Sequence, residues 1–395
     1  PARDGARDAG ETQSREGGVV SDPTKETPDM TTTAPTAAPI GADALVERAF
    51  EALIGSLELA SMHVGERLGL YASLDEAGPS TSGELAARAG VDERYAREWL
   101  EQQAVAGVLS VDDPTASSAK RRYAVPAEHR EPLLDRDSPL YLGAMPQLSV
   151  GMLAPIEQMI QAFRTGEGVP YADYGADTRE GIAAFNRPMF VNELAQSWFP
   201  AIPEVDARLR ATPAARVADI ACGTGWSSVS IARGYPAARV DGFDVDGPSI
   251  EEARALAAER GVEDRVRFFV QDASDPGLEG TYDLVTIFEA LHDMARPVEA
   301  LRTARGLLAD GGSVIVGDEK VAESFTVPGD DLERLNYGFS VLHCLAVGRE
   351  DEHSAATGTV IRPHTVDEYA RAAGFSRVEV LPIEHEFWRF YRFSG

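Results

Sequence analysis

Cysteine occurs only twice in the 395 residues, as Cys222 and Cys344. Two thiols exclude a disulfide framework and any metal motif built from repeated cysteine pairs, and they fit a reducing, cytoplasmic compartment. No run of about 18 apolar residues is present, and no basic segment leads into an apolar one near the start, so neither membrane spanning nor secretion is expected. Positive charge is scarce: 37 Lys and Arg stand against 64 Asp and Glu, a net charge of −27. The first 40 residues hold four basic and seven acidic side chains, −3 in all, so most of the acidity lies on the folded part, where it would repel a phosphate backbone. Nucleic acid is a poor partner on these grounds.

Residues 1–40 are rich in Pro, Thr, Ser, Gly and charge, and "MTTTAPTAAPI" offers almost nothing to bury; they read as a disordered tail to which no function is assigned, and Met30 could be the translational start. The remaining length suits two folded domains. Residues 43–77 place apolar side chains at helical spacing, with a break between Gly65 and Leu70. "TSGELAARAGVDERYAREWLEQQAVAGVLSVDD" then reads as helix, turn at Ala89-Gly90 and a second helix from about Asp92 to Ala106. Thr81 or Ser82 caps the first and Asp92 the second. "RRYAVP" supplies the return strand of a small wing. This winged helix-turn-helix pattern, over 41–130, admits DNA binding or dimerisation. Its second helix mixes Glu93, Glu98 and Glu101 with Arg94 and Arg97, which favours dimerisation.

Residues 131–210 read as a helical connector, with "GEGVPYADYGAD" as an irregular loop and "GIAAFNRPMFVNELAQSWFP" as a helix that lines a pocket or forms a buried hinge. From 211 to 395 the texture alternates. "RVADIAC", "RVDGFDVD", "VRFFVQD", "YDLVTIFEA" and "GSVIVGDE" are five strands separated by helices, which implies a mostly parallel, doubly wound α/β sheet. "VEVLPI" and "FWRFYRF" are separated only by Glu384-His385-Glu386, too short for a parallel crossover, so the last two strands form an antiparallel hairpin.

The turn after the first of these strands, "DIACGTGW" (219–226), decides the ligand class. A dinucleotide site wants a third glycine, but Gly223 and Gly225 are followed by Trp226, Ser227 and Ser228; a P-loop wants lysine, and none is near. What remains is a backbone turn that approaches a ligand at a helix N-terminus. Asp244 ends the second strand, placed to accept hydrogen bonds from two ribose hydroxyls, and Asp272 ends the third, followed by Ala273, where a carboxylate suits an adenine amino group. The site fits one nucleoside. Either acid also has a simpler reading, as a cap of the helix that follows.

The loop, the two acids and the reversed hairpin, in this order, make the chain resemble the class I S-adenosylmethionine-dependent methyltransferases over about 215–395. With the winged-helix region the resemblance extends over about 43–395, to small-molecule O-methyltransferases that dimerise through that domain. It implies a Rossmann-like seven-stranded sheet with an antiparallel last strand behind a mainly helical N-terminal winged-helix domain, S-adenosyl-L-methionine as donor with S-adenosyl-L-homocysteine as product, and a homodimer. By this likeness Asp219, Ala221, Gly223, Gly225, Asp244, Val245, Asp272, Ala273 and Phe288 form the cofactor site. The family usually has glycine where Ala221 stands.

"FEALHDMARP" puts Glu289, His292 and Asp293 on the same rim. Methyl transfer is an in-line displacement that needs an unprotonated nucleophile about 3 Å from the methyl carbon, and histidine is suited to take a hydroxyl proton near neutral pH. His292 is the candidate base, with Asp293 or Glu289 to orient it; the O-methyltransferases carry a similar His-Asp pair here, usually followed by tryptophan rather than Met294. Histidine also packs against the cofactor at this point in other methyltransferases. The segment 321–362 reads as a substrate lid, in which Tyr337, Phe339 and His343, with Phe190 of the hinge helix, form the wall for a hydrophobic or aromatic small-molecule acceptor. His343, Cys344 and His353 lack metal-ligand spacing, so no metal is expected. O-methylation is the leading reaction. The alternatives are N- or C-methylation, an enzyme that keeps the cofactor without transferring its methyl group, and a ligand-sensing DNA-binding regulator.

Overall fold

The computed structural model describes residues 39–395; the tail lies almost entirely outside the described residues. A helix over Ala42–Arg67 opens the described chain and ends where Leu68 and Gly69 break it; Gly69, at φ 64°, starts Leu70–Ala77. Ser82–Ala89 begins with a full capping box: the Thr81 hydroxyl accepts from the Glu84 amide and the Glu84 carboxylate accepts from the Thr81 amide. Asp92 caps Glu93–Val105. The wing is short, with β1 (Ser110–Val111) antiparallel to β2 (Tyr123–Ala124). Leu70, Leu74, Leu85, Leu100 and Tyr123 form the core of this region, and the Trp99 ring lies so close to Gly65 that a Cβ there would clash with it.

Helices then connect this region to a seven-stranded sheet. Its strands are β3 (Arg216–Ile220), β4 (Arg239–Asp244), β5 (Val266–Val270), β6 (Tyr282–Phe288), β7 (Leu308–Glu319), β8 (Arg377–Val380) and β9 (Trp388–Ser394), in the order β5-β4-β3-β6-β7-β9-β8. β9 runs antiparallel to both β7 and β8 and the central pairs are parallel. The expected terminal hairpin is therefore present, with a longer turn than expected. Pro382 cannot donate to a ladder, so the strand stops and seven residues, 381–387, make the connection. Helices cover both faces, and each face has its own apolar core. The order in which strands are added to the sheet reverses between the parallel neighbours β3 and β6, so the crevice opens at the carboxyl ends of β3, β4 and β6.

One helix departs from regular geometry at a useful place. Gly175–Met189 contains Pro188, which lacks an amide proton, and from Phe190 to Trp198 the chain shifts to the wider register in which the Phe199 amide donates to the Leu194 carbonyl. The shift turns Phe190 and Trp198 together toward Phe288, Trp388 and Phe390, with ring centroids 4.8–6.1 Å apart. Such pairs contribute about 0.5–1.5 kcal/mol each beyond the area they bury. They fix the connector against the sheet. Among the described residues no helix is long and apolar enough to cross a membrane.

Candidate active site

The loops after β3, β4, β5, β6 and β7 converge on a cavity of about 590 Å³, closed on the other side by Leu148, Met152, Tyr171 and the segment from Leu335 to Thr359. Ala221, Gly223, Asp244, Val245, Asp272, Ala273, Glu289, His292, Asp293, Phe339 and His343 all line it. Phe190 and Phe288 face a smaller cavity of about 80 Å³ that shares Tyr171, Gly223 and Glu289 as wall.

The glycine turn is held from below and from the side. Asp219 is buried under it, where one carboxylate oxygen accepts from the Ser227 and Ser228 hydroxyls at 2.6 Å each and the other from Thr286 at 2.7 Å. Burial raises its pKa against the pull of those hydroxyls. Asp219 thus ties the first turn of the next helix to β6 and does not reach the cavity. Ala221 (φ 55°), Gly223 (φ 51°) and Gly225 (φ 84°) are all left-handed. At Gly225 a Cβ would lie 2.7 Å from the Phe268 ring, so this glycine serves helix-to-sheet packing; at Gly223 a Cβ would meet nothing within 4 Å, so the backbone there faces open space. The Gly223 amide donates to Asp244 Oδ2 and the Asp246 amide to Oδ1, both at 2.8 Å. Each Asp244 oxygen keeps a second lone pair at the cavity wall.

Asp272 accepts from the Ser274 amide at 2.7 Å, closing a turn that no helix follows, while its other oxygen pairs with Arg296 at 3.1 Å at the cavity mouth. Arg296 also reaches Asp351 at 3.3 Å, which links this rim to the segment 321–362. Tyr337 stands apart from the other sequence candidates: it is partly exposed, outside the lining, against Phe325 and Arg362. His353 is exposed too, so the trio with His343 and Cys344 does not assemble.

The charged floor lies between β6 and β7. His292, 2 % exposed, has Nδ1 2.7 Å from Asp318 Oδ1 and Nε2 3.2 Å from Asp293 Oδ1. Burial alone would lower the imidazole pKa, but the two carboxylates outweigh it and raise it well above the ordinary histidine value. Asp293 is pushed up by burial and pulled further down by His292, with a net lowering. Glu289 sits at φ 51°, strained for a residue with a side chain, and accepts from Asn186. Burial lifts its pKa to about 7 despite Asn186 and His292. Glu319 is raised too, first by burial and then by Glu289.

Sequence reasoning missed Asp318, Glu319, Tyr171 and Asn186. Asp318 carries a readable signal, an acid that ends a continuous apolar strand as Asp244 and Asp272 do. Tyr171 carries none, since it comes from the irregular loop; its ring and that of Tyr174 meet His343 edge-on at 5.8 and 4.6 Å.

Comparison with known proteins follows the same division. Residues 217–312 match a family model described as a methyltransferase domain, and residues 56–136 match an Rv2258c-like winged HTH domain. A 27-O-demethylrifamycin SV methyltransferase of Amycolatopsis mediterranei is 27 % identical over 196 residues, 45 % of this chain and 72 % of that protein; the chain spans about half the length of the next curated relatives it matches. Among solved structures, the mitomycin 7-O-methyltransferase MmcR shares the fold at TM-score 0.64 and 21 % identity, with 89 % of this chain and 98 % of that chain covered. Human N-acetylserotonin methyltransferase, in complex with SAM, does so at 0.63 and 17 %, with 90 % and 98 % covered.

The segment 217–312, which carries the glycine turn and much of the cavity wall, is thus a methyltransferase domain. A winged helix-turn-helix domain, over 56–136, precedes it in the chain.

Proposed function

We propose that this methyltransferase alkylates a hydroxyl group of a small, apolar or aromatic acceptor, with His292 as general base. The carrying observation is the buried Asp318–His292 pair. With Nδ1–H donated to Asp318, the only nitrogen left to take a proton is Nε2, which is how a carboxylate fixes a catalytic imidazole. The open backbone at Gly223 and the lone pairs of Asp244 suit the donor's nucleoside, and Asp272 suits its base. The bound donor supplies an electrophilic methyl on a sulfonium.

The chain's own residues then have three tasks. Phe339, Leu335 and Met152 with Phe185 give the acceptor an apolar wall. His292 Nε2 takes the hydroxyl proton as the oxygen attacks, and Asp293, 3.2 Å from that nitrogen, stabilises the imidazolium that results. Arg296, bridged to Asp272 and Asp351, ties the rim to the segment 321–362. The names of the similar proteins, a rifamycin and a mitomycin O-methyltransferase, support hydroxyl rather than amine or carbon acceptors.

The division into tail (1–40), winged-helix domain (41–130), connector (131–210) and catalytic domain (211–395) with a lid over 321–362 belongs to the same proposal, as does a cytoplasmic setting. So does a homodimer. The helix Ala42–Arg67 buries only Gly65 and leaves Val46, Phe50, Leu53, Leu57 and Val64 exposed along one side, an apolar stripe that a second copy would cover. DNA is a weaker partner, because Arg94 and Arg97 pair with Glu98 and Glu93, and the wing's Arg121 and Arg122 with Glu101 and Glu84.

The test is a panel of phenols, alcohols, amines and carbon acids offered with methyl-labelled donor, the methylated atom identified by NMR. Products on oxygen support the reading; products confined to nitrogen or carbon overturn it. Sedimentation of the full chain tests the dimer.

A further inference from the structure

The cavity floor holds donors of three kinds close together. His292, Asp293 and Cys344 each present a ligand atom within 4.8 Å of the other two. The imidazole nitrogen that faces this group is Nε2, because Nδ1 is engaged by Asp318 at 2.7 Å. That arrangement, carboxylate to imidazole to open nitrogen, is the one that orients histidine toward a metal and raises its basicity.

Two buried polar atoms, one in this group and one beside it, lack a hydrogen-bond partner among the described residues. Asp293 Oδ1 is buried and accepts no hydrogen bond of acceptable geometry among the described residues, although it lies 3.2 Å from His292 Nε2. His343, 1 % exposed on the same wall, has Nδ1 3.5 Å from Cys344 Sγ, while its Nε2 is buried and without a partner. Around them stand the carboxyl groups of Glu289, Asp318 and Glu319. A buried polar atom without a partner costs about 1–3 kcal/mol, and a bond to a metal ion would supply that partner.

The donor set selects the ion. Nitrogen, carboxylate oxygen and thiolate sulfur suit zinc or its spectroscopic substitute cadmium, not magnesium or calcium, which take oxygen alone. Tetrahedral zinc with bonds of about 2.0–2.3 Å separates its ligand atoms by about 3.3–3.8 Å, close to the nitrogen-to-oxygen distance already present. Three protein ligands would leave a fourth position open to the cavity.

We propose that His292 Nε2, Asp293 and Cys344 form a site for one zinc-type ion per chain, and that its occupation blocks methyl transfer. Metal on Nε2 removes the lone pair that the base uses, so metal and acceptor hydroxyl exclude one another. The inhibition part rests on His292 as base; the binding part does not. On loading, the Cys344 proton is released to solvent and the thiolate binds the metal, with no change of oxidation state.

The experiment is titration of the full chain with cadmium, followed by the near-ultraviolet thiolate-to-cadmium charge-transfer absorption, and in parallel with zinc by calorimetry. The expected result is one equivalent bound, with the absorption lost in Cys344→Ala and kept in Cys222→Ser. An absent band, or one that persists in Cys344→Ala, overturns the site. Where methyl transfer is measurable, stoichiometric zinc lowers the wild-type rate at least tenfold, chelator restores it, and Cys344→Ala resists. Cadmium binding with a rate that zinc leaves unchanged overturns the inhibitory role alone. A chain without any hydroxyl methylation would still report the metal through the absorption band.

Discussion

Asp318 and His292, which meet through a 2.7 Å contact between Oδ1 and Nδ1, are both buried to within 2 % of full enclosure. Asp318 also accepts from the amide of His292 at 3.3 Å and from that of Glu319 at 2.8 Å. The carboxylate is therefore fixed by β7 before it fixes the imidazole. In Asp318→Asn the amide can present a hydrogen to Nδ1 and favour the wrong tautomer, so kcat falls by about 10²–10⁴. Affinity for S-adenosylhomocysteine, measured by calorimetry, stays within threefold of wild type; a comparable loss of affinity would mean that Asp318 shapes the cofactor site instead.

The pH dependence follows from the two carboxylates beside His292. The imidazole works as a base only when neutral, and its pKa is raised above 6.5. Activity therefore climbs with pH along a limb centred above that value. Asp293→Asn removes one of the charges that favour the imidazolium, and the limb moves to lower pH. A limb that stays in place would remove Asp293 from this role.

Glu289 gives a separate, stability-based signal. Its pKa rises from 4.5 to about 7 on folding, through burial, so the folded chain binds this proton more tightly than the unfolded one. The stabilisation is fully present below pH 4.5 and is lost as pH rises through about 7. In Glu289→Gln, thermal stability changes less over that window than in wild type. Parallel curves for the two proteins would contradict the assignment.

Asp244→Ala removes both the wall carboxylate and the acceptor that steadies the Gly223 and Asp246 amides. S-adenosylmethionine affinity should fall by at least tenfold, about 1.4 kcal/mol, while NAD binds neither protein. Retained affinity would place the nucleoside elsewhere.

The parts of the fold that depend on local pattern were legible in the sequence. Thr81 with Glu84 announces its capping box, Asp92 its cap, and the short gap before Trp388 the reversed strand β9. The glycine turn and Asp244 were legible for the same reason, because strand ends and turns use a small set of residues. The pairing of Asp272 with Arg296 at the rim needed the structure, since the two lie 24 positions apart. Tyr337 was misplaced into the cavity because helical spacing in a long insertion does not say which side faces in. Pro188 signals a disturbed helix in the sequence, but not the register shift that aims Phe190. Ala221, left-handed at φ 55°, pays about 1–2 kcal/mol of backbone strain where glycine would pay none, and only the backbone reveals it. The pairing of Cys344 with His292 and Asp293 joins residues about fifty positions apart and had no sequence signal.

The most direct test of the account is the single-turnover rate of methyl transfer to a hydroxyl acceptor in His292→Gln against wild type, at saturating donor. Glutamine fills similar space but cannot take a proton, so the rate should fall by about 10²–10⁴ while S-adenosylmethionine still binds. A rate within a few fold of wild type would show that His292 only shapes the cavity, and the general-base account would be wrong.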